Sequence, residues 1–216
     1  MTTYRDICCR ADTDLPFVSI ILGVAALLLF LLGENVSFLQ YDRSAIAYGE
    51  VWRCITGHWI HWSFDHFLWC TITVVALGCI CERLSRKGYI ATLATASCII
   101  PGVIWFTDAE MQMYRGLSGL ASGVFVFAAV MMMRRTYLEK DWLGVILSAV
   151  AGLGYIGKIL FEYASGSTLF VNSHEVFSPV PLAHLSGGIV GLVMAVIFSR
   201  KRSGQLFIHF QSMRKI

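Results

Sequence analysis

What most constrains this chain is a series of six long windows without a charged side chain, at residues 15–33, 66–81, 88–107, 116–133, 142–157 and 176–199. A helix that crosses a bilayer needs roughly 20 mostly apolar residues, so windows of this size read as membrane spans. The fifth continues through Lys158 to about Phe161, which gives it full length. The second is short, but residues 59–64 add aromatic side chains that suit the interface at its outer end. Composition agrees: 56% of the residues are hydrophobic and 14% are charged, against about a quarter charged in soluble domains. The expectation is an all-α, polytopic membrane protein: one six-transmembrane-helix domain over residues 1–216. The first window runs into Glu34 and Asn35 without a small-x-small cleavage site, so it reads as a retained anchor rather than a signal peptide.

The basic residues are distributed unevenly about these windows. Arg5 and Arg10 precede the first; Arg83, Arg86 and Lys87 follow the second. Arg134, Arg135 and Lys140 separate the fourth from the fifth, and Arg200, Lys201, Arg202, Arg214 and Lys215 follow the sixth. The opposite side has only Arg43, Arg53 and Arg115, with Lys158 inside the fifth window. The positive-inside rule then puts both termini, residues 1–14 and 200–216, in the cytoplasm. These flanks are ordinary membrane topology, and no nucleic-acid partner is implied. The seven cysteines have neither metal-finger spacing nor a disulfide framework, so they read mainly as small apolar packing residues. No metal or cofactor is expected.

With inside termini and an even number of spans, the second, fourth and sixth all begin at the outer face. Their starts carry the polar residues: His58, His61 and His66 near the second, Ser118 at the fourth, and His184 near the sixth. Polar groups in a bilayer are costly and turn toward the bundle interior, so these residues are expected to converge. Ser118 lies in Gly116-Leu117-Ser118-Gly119, where a loop ends and a helix begins. Glycines there allow close backbone approach, and free N–H groups at a helix start can stabilise an oxyanion. Gly119 and Gly123 on the fourth span, and Gly187 and Gly191 on the sixth, form small-xxx-small faces that let the two helices pack closely. His184 could then act on Ser118 as general base and afterwards as general acid. Each motif alone has a plainer reading, as helix packing or as an interfacial histidine. Matched depth and paired glycine faces favour chemistry.

These motifs together resemble the rhomboid family of intramembrane serine proteases over nearly the whole chain. Glu50-Val51-Trp52-Arg53 is similar to that family's first-loop motif, and His61-Trp62-Ser63-Phe64-Asp65-His66 to its paired histidines. Gly116 to Gly119 resembles its nucleophile motif, and Ala183-His184 with Gly187 and Gly191 its base motif. The resemblance implies Ser118 as nucleophile, His184 as base, and His66 with the Ser118 backbone N–H as oxyanion donors. Two positions depart from the family pattern. Cys70, a weak donor, stands where an oxyanion asparagine is usual, and Ser122 stands where an aromatic ring often stacks on the histidine.

Within that family the chain looks most like the rhombosortase branch of Gram-negative bacteria. The cues are residues 39–43, Thr56-Gly57-His58 leading to His61, and Lys158 to Glu162. This implies residence in the bacterial inner membrane and cleavage of membrane-anchored proteins with a C-terminal Gly-Gly motif, a hydrophobic helix and a basic end. Lys158 and Glu162 read first as a pair within one helix, alternatively as contacts for substrate, and His61 is open in the same way. Cys8 and Cys9 are candidate lipid acceptors, and residues 205–216 a segment on the inner leaflet. Two other functions fit less well: an inactive rhomboid-like protein that holds membrane helices, and a haem-binding subunit, which would leave the Gly-x-Ser-Gly unexplained.

Overall fold

The computed structural model describes residues 15–168 and 180–213, with side chains up to Ser199. It is a helical bundle. α1 spans Phe17–Leu31 and leads through a 3-10 turn, Gly33–Leu39, to a two-residue strand β1, Tyr41–Asp42. Two short helices, α2 (Arg43–Ala47) and α3 (Arg53–Thr56), and a second 3-10 turn complete this outer loop. The long helix α4, Phe64–Thr107, is followed by β2, Met113–Tyr114, then α5 (Ser118–Glu139), α6 (Trp142–Ser165) and α7 (Pro181–Met213).

Four of these helices, α4 to α7, are long and apolar enough to cross a membrane, and α1 is a shorter apolar helix of 15 residues. The second and third sequence windows fall in one 44-residue element, because the backbone between them leaves helical geometry at Ser85 alone (φ −167°, ψ 91°). Ser85 also caps the helical turn after it, its Oγ accepting from Gly88 N–H at 3.2 Å. The fourth window continues past Arg134 and Arg135 to Glu139, where Lys140 takes a left-handed conformation (φ 58°) that ends the helix. The candidate lipid acceptors Cys8 and Cys9 lie outside the described residues.

α5 is the central helix: 56% of its most apolar window is buried, against 11% for α6. Outward faces of α6 and α7, with Leu143, Leu147, Leu153, Leu160, Ile189 and Leu192, are exposed apolar surface that only lipid would cover. α1 docks against α4 through a buried carboxylate. Glu82 accepts from the Ser19 N–H and hydroxyl, each at 2.7 Å, and so satisfies donors at the start of α1 that no helix carbonyl reaches. Gly78 makes room there, since a Cβ would meet the Ser19 and Tyr89 hydroxyls.

At the other end, β1 pairs antiparallel with β2, Tyr41 opposite Tyr114. This ribbon fixes the outer loop to the segment that enters α5. Arg53 of the first-loop motif donates to Glu50 at 2.6 Å and to the Gln40 carbonyl at 3.1 Å, and Arg115 donates to the Gln40 side chain at 2.7 Å. The loop is thereby a braced scaffold rather than a loose connection.

Candidate active site

α5 begins at Ser118, so the N–H groups of its first turn have no carbonyl partner within the helix. The turn into it depends on Gly116, whose φ of 124° suits only glycine and whose missing Cβ leaves room for the His66 ring. His66 therefore packs directly on the backbone that precedes Ser118. Its own position is set by local capping: Ser63 Oγ accepts from His66 N–H at 3.2 Å and starts α4 there. The Tyr114 hydroxyl donates to the Gly116 carbonyl at 3.0 Å and lies beside the Ser118 side chain. Ser118 is half-buried, while His66 is buried.

The four glycines of the small-residue faces meet across the α5–α7 crossing. A Cβ on Gly187 would collide with the Gly119 carbonyl, and one on Gly191 with the Gly123 carbonyl. A Cβ on Gly123 would lie 2.9 Å from the Gly187 carbonyl, and one on Gly119 would lie 3.1 Å from that of Ala183. The helices touch backbone to backbone, and the contact begins at Gly119 and Ala183, the immediate neighbours of Ser118 and His184, and runs on to Gly123 and Gly191. His184 is 5% exposed.

The surroundings of His184 contain what the motifs did not disclose. Its Nδ1 lies 2.7 Å from Glu162 Oε2 and 3.2 Å from Lys158 Nζ, while Lys158 Nζ donates to Glu162 Oε1 at 2.6 Å. The Tyr155 hydroxyl donates to the His184 backbone carbonyl at 2.6 Å, in space left by Gly188. Tyr155 also stacks on Phe125 and its hydroxyl lies beside Ser122. Tyr155 thus supports His184 from α6 through its hydroxyl on the backbone, while its ring packs on Phe125. The sequence signal for it was only a tyrosine on the same helical face as Lys158 and Glu162.

Other candidates take structural places. Cys70 is buried among Phe67, Tyr114, Leu117 and Ala183, and among the described residues its thiol makes no hydrogen bond. His61 lies edge-on to His66, ring centroids 5.3 Å apart. His58 is fully buried in the outer loop, with Nε2 3.3 Å from the Ser97 carbonyl. Burial, opposed by that carbonyl, pushes its pKa down to about 4. His61 is pushed down to about 3, chiefly by burial and further by His66. Among the described residues, no group of three His, Cys, Asp or Glu side chains is placed to hold a metal ion.

The arrangement comprises a hydroxyl at a helix start, a buried imidazole on the helix packed against it and a second imidazole against the turn that enters the first helix. Compared with protein-family models, residues 48–201 match the one described as the Rhomboid domain. A comparison with curated proteins gives no significant match.

Proposed function

Since the chain belongs to the rhomboid family, a family of intramembrane proteases, we propose that it is a serine endopeptidase whose Ser118 and His184 cleave membrane-anchored proteins. The observation that carries the reading is the glycine-to-glycine crossing of α5 and α7, which brings the neighbours of these two residues into backbone contact. A structural helix pair needs no such closeness at a serine and a histidine, and the family supplies the chemistry that does.

In this reading Ser118 Oγ attacks the scissile carbonyl carbon as its proton passes to His184 Nε2. The carbonyl oxygen becomes an oxyanion held by the first-turn N–H of Ser118 and by His66. Collapse of the intermediate breaks the C–N bond, with the proton returned from His184 to the leaving amine, and water then releases the acyl group by the same steps in reverse roles. Gly116 and Gly119 give the nucleophile its turn and its close helix, while Gly123, Gly187 and Gly191 hold the crossing. Cys70 serves as packing beside the site.

The finer reading is that of a rhombosortase-like enzyme of the bacterial inner membrane. Residues 1–216 form one domain that crosses six times, the break at Ser85 dividing α4 into two crossings, with both termini in the cytoplasm. Its substrates are proteins with a C-terminal Gly-Gly motif, a hydrophobic segment and a basic end, cut near the outer face. That depth agrees with Ser118 at the start of its span. The chain expressed in membranes with such a substrate is expected to process it, and Ser118→Ala and His184→Ala are each expected to reduce processing to background. Processing that continues in Ser118→Ala would sink the mechanism and leave the helix-binding alternative.

A further inference from the structure

Resting on the protease reading above, we propose that Glu162 completes the site as a positioning residue, fixing the His184 ring in the one tautomer that can accept the Ser118 proton. Glu162 is 2% exposed, on a helix that otherwise buries only Ser148 and Ile159. A carboxylate that deep in a membrane helix is costly and persists only where partners compensate it. Lys158, one turn earlier on the same helix, already supplies a cation through Oε1. The second oxygen instead reaches across to α7 and meets His184 Nδ1 at 2.7 Å.

That geometry decides which ring nitrogen holds the proton. An ionised carboxylate only accepts hydrogen bonds, and a lysine ammonium only donates. Nδ1 therefore has two exclusive states: it donates to Glu162, or it accepts from Lys158. The Glu162 contact is the shorter by half an ångström, 2.7 against 3.2 Å, and the Lys158 ammonium is already engaged at 2.6 Å. Nδ1 donates, and the lone pair falls on Nε2, the nitrogen a base needs. Without the carboxylate, Lys158 would donate to Nδ1 and the proton would move to Nε2, where it blocks acceptance from Ser118. Glu162 also places a negative charge beside the imidazolium formed during acyl transfer, while Lys158 keeps the resting trio electrically neutral. Tyr155, Lys158 and Glu162 lie on one face of α6 and all converge on His184, through its carbonyl or its ring.

The test uses the full chain in lipid nanodiscs with 15N-labelled histidine. In wild type and in Ser118→Ala, the His184 ring is expected to show the Nδ1–H tautomer, and in Glu162→Gln the Nε2–H tautomer. Cleavage of the Gly-Gly substrate by Glu162→Gln is expected to lose kcat by roughly 10²–10⁴-fold, as when a serine-protease triad loses its acid, with KM nearly unchanged. Lys158→Met removes the competing donor and is expected to retain Nδ1–H, so the idea stays testable if the glutamine variant folds poorly. Retention of Nδ1–H in Glu162→Gln, loss of it in Lys158→Met, or a kcat within about threefold of wild type in Glu162→Gln would overturn the proposal. Because the tautomer is read in Ser118→Ala, this arm does not depend on activity. A wild-type chain that cleaves nothing and whose Ser118 resists a fluorophosphonate probe overturns the protease reading itself, and the catalytic role of Glu162 with it.

Discussion

Among single residues, the histidines differ in task according to what they touch. His58 is sealed in the outer loop, neutral and bound to a carbonyl, so it belongs to the scaffold of the site rather than to its chemistry. A histidine whose folded pKa lies near 4 instead of 6.5 favours the fold while it is uncharged. Its contribution is complete above pH 6.5 and is lost as the pH falls toward 4, and His61 acts in the same direction. Thermal unfolding in detergent is therefore expected to show a midpoint that declines through this window, with a shallower decline in His58→Gln. Ser118 and His184 stand out as candidates in the sequence because short glycine-bearing motifs surround them, and His66 because it closes a pair with His61. The grip of Glu162 on His184 was not legible there, since it joins residues on two helices, and Lys158 at i−4 already offered the glutamate a sufficient local partner. Tyr155 was hidden in a similar way, since its hydroxyl reaches the His184 carbonyl from another helix.

For the helices, the apolar windows forecast where long apolar helices form, but not how they begin and end. Charges bounded each window, whereas α5 carries Arg134 and Arg135 within its last turns, where the Arg135 guanidinium meets Glu139 at 3.0 Å. The turn between the second and third windows is a single non-helical residue, Ser85, and it falls within the charged stretch that separates them in the sequence. The glycine faces were the most reliable guide at this scale, because a period of four small residues on each helix has few explanations other than close approach. Their tightness gives a direct test. A methyl group on Gly187 would meet the Gly119 carbonyl, which is backbone and cannot turn away. Gly187→Ala is expected to cost about 1–3 kcal/mol of stability, as overpacking does, measured by unfolding in mixed micelles. It should also reduce cleavage, because separating α5 from α7 separates Ser118 from His184. Stability and activity both unchanged would mean that the helices cross more loosely than their backbone contacts indicate.

Over the whole molecule, the site collects at the end of the bundle where the β1–β2 ribbon ties the outer loop to the entrance of α5. The distribution of basic residues predicts that this end faces outward, and the prediction is tested with fusions. A phosphatase active only outside the cytoplasm is expected to work when fused after Glu110, between α4 and α5, and to stay silent when fused after Lys140 or Arg200. Activity after Lys140 would invert the topology. That the chain is a bundle of long apolar helices was legible from hydropathy, since the bilayer imposes that length and composition. Lateral packing was not, because α6 is apolar apart from the narrow face of Ser148, Tyr155, Lys158 and Glu162, and nothing in the pattern says how little of the rest is covered. It buries only three side chains, and one of them is Glu162, whose carboxylate meets the His184 ring. The seat of a helix and the aim of an imidazole are thus one mechanical variable, so a bilayer whose thickness tilts or lifts α6 acts on the reacting atoms without touching them.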